Sequence, residues 1–193
     1  MIELIDQLDK SILLWFNGVH NDFWDHLMLF ASAKLTWLPF YLFLLYLIIK
    51  EYRFQTFLIL AFVVLAVTLS DQTSVHLFKN VFQRLRPCHQ EELIQNLWLP
   101  AGCGGPYGFV SSHAANSFSV MMFLSLLLKK RWLTIVLIVW ASFVSISRVY
   151  LAAHFPSDIL GGALLGLLTG LVTYLLFRLV YERVYKKPSH INT

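Results

Sequence analysis

Five long apolar runs, at about 27–49, 54–77, 111–128, 132–150 and 158–181, alternate along the chain with short polar links. Each holds roughly 18–24 residues, enough as a helix at ~1.5 Å rise per residue to cross a hydrocarbon core of ~30 Å. The runs are continuously apolar, whereas the strands of a membrane barrel would alternate apolar and polar residues. Ahead of them, residues 3–16 place Ile5, Leu8, Ile12 and Trp15 or Phe16 on one helical face, with Asp6, Asp9 and Lys10 elsewhere, and Asn17-Gly18 ends the pattern. That segment is too short and too charged for a lone crossing. It is expected to lie in the membrane interface within residues 1–20, the alternative being a sixth span shielded by its neighbours. The pattern thus predicts an all-α, polytopic membrane helix bundle: five transmembrane helices plus an N-terminal amphipathic interfacial helix. In the last run Gly162, Gly166 and Gly170 recur at four-residue spacing, a stripe that lets two helix backbones approach closely within the bundle.

Composition agrees. The chain has 193 residues, 58% hydrophobic and 13% charged, with 16 Phe, 8 Tyr and 6 Trp. One membrane-embedded domain, 1–193, fits that length. Glu3, Asp6 and Asp9 give the N-terminus the wrong charge for a secretory leader, so the first membrane segments are expected to stay attached. The net charge of +4 comes from basic residues scattered at helix ends, which disfavours a nucleic-acid partner. Lys50, Arg53, Lys129, Lys130, Arg131, Arg178, Arg183, Lys186 and Lys187 all fall on one side of the bundle, and that side is expected to be cytoplasmic. The 79–110 loop and the 147–158 turn then face outward. In a bacterium this describes a multi-pass inner (cytoplasmic) membrane protein whose outward loops face the periplasm. Residues 186–193 read as a loose tail, and no obligatory protein partner is evident.

The 79–110 loop is rich in Pro and Gly and reads as a cover over the outward end. It holds both cysteines, Cys88 and Cys103. A disulfide is expected in an oxidising compartment, with two free thiols as the alternative and a zinc pair with His89 a poorer third. Two further charges lie in the apolar runs. Lys34 falls about two turns inside the first and Asp71 near the outward end of the second; they are expected to pair, or Lys34 to meet a second headgroup phosphate.

Three clusters at the outward ends carry chemistry. Lys79 and Arg86 are two helical turns apart, so both are expected on one helix face before Pro87 stops the helix. Ser111 is a good N-cap for the third span, which directs free N–H groups and a positive dipole end outward, with Ser112 and His113 in its first turn. Arg148 ends the fourth span. Pro156 suits the first position of the fifth, leaving Phe155 as its cap and His154 just ahead, while Asp158 reaches back from the first turn. Together these supply cations for phosphate oxygens, one histidine to attack, another to protonate the leaving oxygen and a carboxylate to orient the nucleophile. No carboxylate cluster suggests magnesium, so chemistry without metal or cofactor is expected.

Lys79-x6-Arg86-Pro87, then Ser111-Ser112-His113, then Ser147-Arg148-x5-His154-x3-Asp158 resemble the three signature motifs of the type 2 phosphatidic-acid phosphatase family, which includes the vanadium haloperoxidases. The resemblance implies a phosphohistidine on His154, Asp158 orienting it, and His113 as general acid. It makes Lys79, Arg86, Ser111, Ser112 and Arg148 phosphate ligands. The substrate it implies is a membrane lipid phosphate or pyrophosphate, such as undecaprenyl pyrophosphate, phosphatidylglycerol phosphate or lipid A 1-phosphate. The middle motif departs from the family's Pro-Ser-Gly-His, since Val110 and Ser112 replace Pro and Gly. That removes a preset φ and stiffens backbone that approaches phosphate. A peroxidase is disfavoured by a site built into membrane spans. A non-catalytic lipid-phosphate carrier would explain the cations but not the two histidines or Asp158.

Overall fold

The computed structural model describes residues 2–185, and the 186–193 tail lies outside the described residues. Long helices dominate: α1 (Ile2–Gly18), α2 (Asp22–Ser32), α3 (Leu38–Tyr52), α4 (Thr56–Thr73), α5 (Ser112–Leu128), α6 (Arg131–Tyr150) and α7 (Pro156–Tyr185). Beyond them the described residues form short helical turns and loops, with no β-strand; a single bridge joins Leu85 to Tyr107. Three stretches among the described residues are long and apolar enough to cross a membrane: Leu35–Phe82, Arg131–Tyr150 and Pro156–Tyr185. The first folds back at Arg53, in the left-handed region at φ 47°, so α3 and α4 are its two arms. Ser112–Leu128 is apolar but shorter.

The first expected span, 27–49, is not one helix. It breaks after Ser32, where Ala33 is extended, and resumes at Leu38 through a short turn at Leu35–Trp37. Pro39 sits in the first turn of α3, where its missing N–H costs nothing but would have opened a continuous ladder. Side chains satisfy the break: Trp37 Nε1 donates to Ala31 O at 2.9 Å and Thr36 Oγ1 to Ala33 O at 2.9 Å. Lys34 therefore stands exposed at a junction rather than inside a span. It forms no ion pair with Asp71, whose carboxylate instead accepts from Asn116 Nδ2 at 3.3 Å.

Helix α1 is amphipathic as expected, and the side turned to the protein carries its buried polar residues. Asp9, Leu13 and Asn17, one turn apart, are buried, while Ile5, Leu8, Ile12 and Trp15 are exposed. In a bilayer the surroundings are apolar, so an apolar outward face costs nothing and polar groups gain by turning to protein partners. Asn17 uses its whole amide. It donates to Trp98 O and Tyr150 O at 2.8 Å each and accepts from Trp98 N at 2.8 Å, tying α1 to the loop and to α6.

The glycine stripe of α7 packs on α5. A Cβ on Gly162, Gly166 or Gly170 would stand 2.5, 2.3 or 2.5 Å from the carbonyl oxygens of Ser111, Ala115 and Ser119. The other face of α7 carries Leu160, Leu164 and Leu168, all exposed, as lipid-facing residues are. At the end of the bundle away from the clusters, Lys130 pairs with Glu51, and Tyr52 and Tyr181 donate to Leu127 O and Gln55 Oε1 at 2.9 and 2.8 Å. That end gathers the basic links.

Candidate active site

At the other end, α4 runs on through a widened π-helical stretch, Ser74–Lys79, and stops at Phe82 because Gln83 adopts the left-handed conformation, φ 48°. Wider turns of this kind recur where a helix must re-aim a side chain. Here Lys79 Nζ donates to Ser112 Oγ at 2.6 Å, and Ser74 Oγ meets the same hydroxyl at 2.7 Å. Lys79 and Arg86 do not share a helix face, contrary to the expectation from their spacing. Arg84–Arg86 are extended instead: Arg86 N donates to Pro106 O at 2.9 Å and Gly108 N to Arg84 O at 2.8 Å. In extended backbone, alternate side chains share a side, so Arg84 and Arg86 point inward together and Leu85 outward.

Arg86 is held by backbone alone, its Nε donating to Tyr107 O at 3.1 Å and Nη1 to Ala153 O at 3.4 Å. No carboxylate pairs with it among the described residues. Burial lowers its pKa. The Cys88–Cys103 disulfide, Cα atoms 5.9 Å apart, closes residues 88–103 of the loop that follows Arg86. Both thiols are consumed, so the Cys88, His89 and Cys103 group holds no metal.

Ser111 caps α5 as expected, its buried Oγ accepting from Ala114 N at 3.5 Å, while its own N–H donates to Asp158 O at 3.0 Å. Its hydroxyl is fully buried at the start of the helix. Ser112 and His113, in the next positions, face a cavity of about 490 Å³ that also touches Lys34, Asp71 and Asn116. From there the cavity runs between α3, α4 and α5 past Val63, Val120 and Leu124, and its lining is mostly apolar.

Arg148, in the last turn of α6, donates through Nη1 to Ser32 Oγ, while its Nε is buried without a partner. The chain then turns sharply through Ala152 at φ 50°, and both Ala153 N and His154 N donate to Arg148 O, at 3.0 and 3.2 Å. Helix α7 starts at Pro156, as expected, with Phe155 N donating to Asp158 Oδ2 at 3.0 Å. His154 Nδ1 lies 3.5 Å from the same oxygen, within ion-pair range but without hydrogen-bond alignment. His154 is 1% and Asp158 0% exposed. Gly108 is required beside them, since a Cβ there would lie 2.8 Å from Asp158 Oδ2.

Burial pushes the His154 pKa down to about 4; the nearby Asp158 acts upward and Arg86 downward. The imidazole is therefore neutral at ordinary pH, the form that can attack. At pH 5 a group titrating near 4 is about 10% protonated, against ~97% for an ordinary histidine. NMR of the 15N-labelled His154 ring across pH should show the neutral form at pH 5; a midpoint at 6 or above would contradict the burial argument.

The spacing of the motifs points to neither of two further residues. Arg84 donates to Asp158 Oδ1 at 2.9 Å, to Ser157 Oγ at 2.6 Å and to Asp9 Oδ2 at 2.7 Å, and its guanidinium carbon stacks 4.3 Å from the Phe155 ring centroid. Burial acts to lower its pKa, but Asp158 and Asp9 outweigh it and the guanidinium stays charged. Asp9 also accepts from Ser157 N at 2.9 Å. The available signals are the alternation Arg84-Leu85-Arg86 before Pro87 and the stripe Asp9, Leu13, Asn17.

A helical membrane bundle with a buried histidine–carboxylate pair, unpaired guanidinium groups and a helix N-terminus at one end has the groups that handle a phosphoryl group. Residues 56–182 match the family model of the PAP2 superfamily. The chain belongs to that superfamily, as one of its membrane lipid phosphatases. It is 38% identical over 169 residues to a lipid A 4'-phosphatase of Bacteroides thetaiotaomicron, covering 86% of this chain and 75% of the relative. A lipid A 4'-phosphatase of Porphyromonas gingivalis is 32% identical over 167 residues, covering 86% and 71%. The fold is similar to the crystal structure of a transmembrane PAP2-type phosphatidylglycerolphosphate phosphatase from Bacillus subtilis, with TM-score 0.69, 22% identity and coverage of 97% and 90%. It is also similar to Aquifex aeolicus LpxE, with TM-score 0.66, 21% identity and coverage of 84% and 92%.

Proposed function

We propose that this membrane phosphatase removes a phosphate monoester from a lipid of the lipid A type, the 4'-phosphate above others, through a phosphohistidine on His154. The observation that carries the reading is the buried pair of His154, neutral at ordinary pH, and Asp158, beside Arg86, which has no carboxylate partner among the described residues, and the Nε of Arg148, which has no acceptor. Because Nδ1 faces Asp158, Nε2 is the attacking atom. It forms the N–P bond as the P–O bond to the lipid breaks, and His113 gives its proton to the leaving oxygen. Water then attacks the phosphohistidine, losing its proton to His113, and inorganic phosphate leaves. Lys79, Arg86 and Arg148 neutralise the oxygens in transfer, and the Ser112 hydroxyl, already held by Lys79, supplies a further donor.

The choice of lipid rests on the two 4'-phosphatase relatives, each matched over 86% of this chain. The mostly apolar cavity running from His113 towards Leu124 suits a hydrocarbon tail. The arms α3 and α4 with α5, α6 and α7 are taken as five crossings of a bacterial inner membrane. With the basic links on the cytoplasmic side, the site faces the periplasm. The purified protein should release phosphate from lipid A faster than from phosphatidylglycerol phosphate or undecaprenyl pyrophosphate, and from its 4' position. A chelator should leave the rate unchanged, because the site's carboxylate is engaged by Arg84. A tenfold preference for the pyrophosphate would overturn the choice of lipid, and chelator-sensitive turnover would overturn the metal-free chemistry.

A further inference from the structure

Asp158 presents one oxygen to His154 and the other to Arg84, and Arg84 in turn divides its donors between Asp158 and Asp9. Three charged groups thus form a line, carboxylate–guanidinium–carboxylate, that starts on α1 and ends at the histidine. Asp9 is 4% exposed and contributes more than charge: its Oδ1 accepts from Ser157 N at 2.9 Å, capping the first turn of the helix that bears Asp158. Two buried carboxylates without the cation between them would repel each other, and one carboxylate removed would leave the guanidinium wholly on the other.

We propose that Asp9 and Arg84 are positioning residues that set the charge Asp158 presents to His154, making α1 a working part of the site rather than only a membrane anchor. The proposal rests on His154 being the nucleophile. Arg84 pairs with Asp158 and fixes its rotamer through Oδ1, so that Oδ2 faces Nδ1 of His154. Asp9 draws part of the guanidinium charge away, so Asp158 keeps enough negative character to stabilise the imidazole as it gives up its electron pair. The signs follow. Without Arg84, the histidine–carboxylate unit loses a cation and holds its proton to higher pH; without the Asp9 charge, it loses an anion and releases its proton at lower pH. The other charged groups around the unit remain in every variant: Arg86, Arg148, Lys79 and His113 towards the bundle, and Asp6 at 3.7 Å from Arg84 with Lys10 beyond it.

The test is the pH dependence of kcat/KM for phosphate release from a lipid phosphate monoester by the full-length protein in micelles. The variants are Arg84→Gln, Arg84→Lys, Asp9→Asn and the double variant Asp9→Asn/Arg84→Gln. Arg84→Gln should move the acid limb up by about one pH unit or more and lower kcat roughly 10–100-fold, with KM within about threefold, because the phosphate ligands are untouched. Asp9→Asn, which keeps an acceptor for Ser157 N, should move the limb the other way, and the double variant should return it towards wild type. Arg84→Lys should recover the limb but not all of kcat, since an ammonium cannot hold two carboxylates in a fixed fork. A purely structural role would lower activity in all four without opposite displacements of the limb, and that result would overturn the proposal. Orthovanadate binding identifies variants that have lost the fold; if Arg84→Gln is one, the downward shift in Asp9→Asn decides alone. Full activity in His154→Ala would instead strike the nucleophile assignment beneath it.

Discussion

His154→Ala is expected to slow phosphate release by at least ~10³-fold, because it removes the atom that accepts the phosphoryl group and leaves no neighbour able to replace it. KM should change little. Arg86 and Arg148 are anchored by backbone and by Ser32, independently of the imidazole, and Lys79 by Ser112. Asp158 stays compensated through Arg84 and Phe155 N, so the variant leaves no unpaired buried charge and should remain folded. Turnover within tenfold of wild type, with orthovanadate still inhibiting, would mean that the phosphoryl group goes directly to water.

Gly162→Ala, a change of one methyl group, is expected to lower turnover by ~10²-fold, although Gly162 touches no substrate. Its Cβ would stand 2.5 Å from Ser111 O and 3.0 Å from Ala114 Cβ, against ordinary contacts of 3.4 Å and more. Helices α5 and α7 must part by roughly 1 Å there, in the turn that holds His113 on one side and Asp158 on the other. A displacement of that size is enough to cost two orders of magnitude in a site that works by placement. Stability should fall by about 1–3 kcal/mol, as for other overpacked positions. Gly105→Ala, where an added Cβ meets nothing within 4 Å, is the control and should be silent. Equal activity in the two variants would show that the close crossing does not position the site.

The clusters themselves are legible in the amino-acid sequence, because their chemistry is local. Pro156 with Asp158 two residues on spells a helix start whose carboxylate turns back, and Phe155 N does meet Asp158. Ser111 likewise caps α5, and the α7 glycines lie against backbone inside the bundle. Helix periodicity fails where the chain leaves the helix. Lys79 and Arg86 have helical spacing, yet a left-handed Gln83 ends α4 between them and extended backbone delivers Arg86 from another direction. The reach of Arg84 to Asp9 and Asp158 depends on that turn, so spacing does not reveal it.

The N-terminal helix is legible only in part. Its apolar face is visible in Ile5, Leu8 and Ile12, but periodicity alone does not say whether protein or lipid covers that face. With the apolar face turned outward, the opposite face brings Asp9 to the site and Asn17 to Trp98 and Tyr150. Lys34 is misplaced by hydropathy, which averages over Pro39 and hides the break at Ala33.

The covalent intermediate is the centre of the account, and a rapid alkaline quench of a single turnover with 32P-labelled lipid phosphate tests it most directly. The expected result is label on the protein that survives base, is lost in acid and maps to the peptide containing His154. Release of inorganic phosphate with no protein-bound label at any quench time, or label on a different residue, would contradict it.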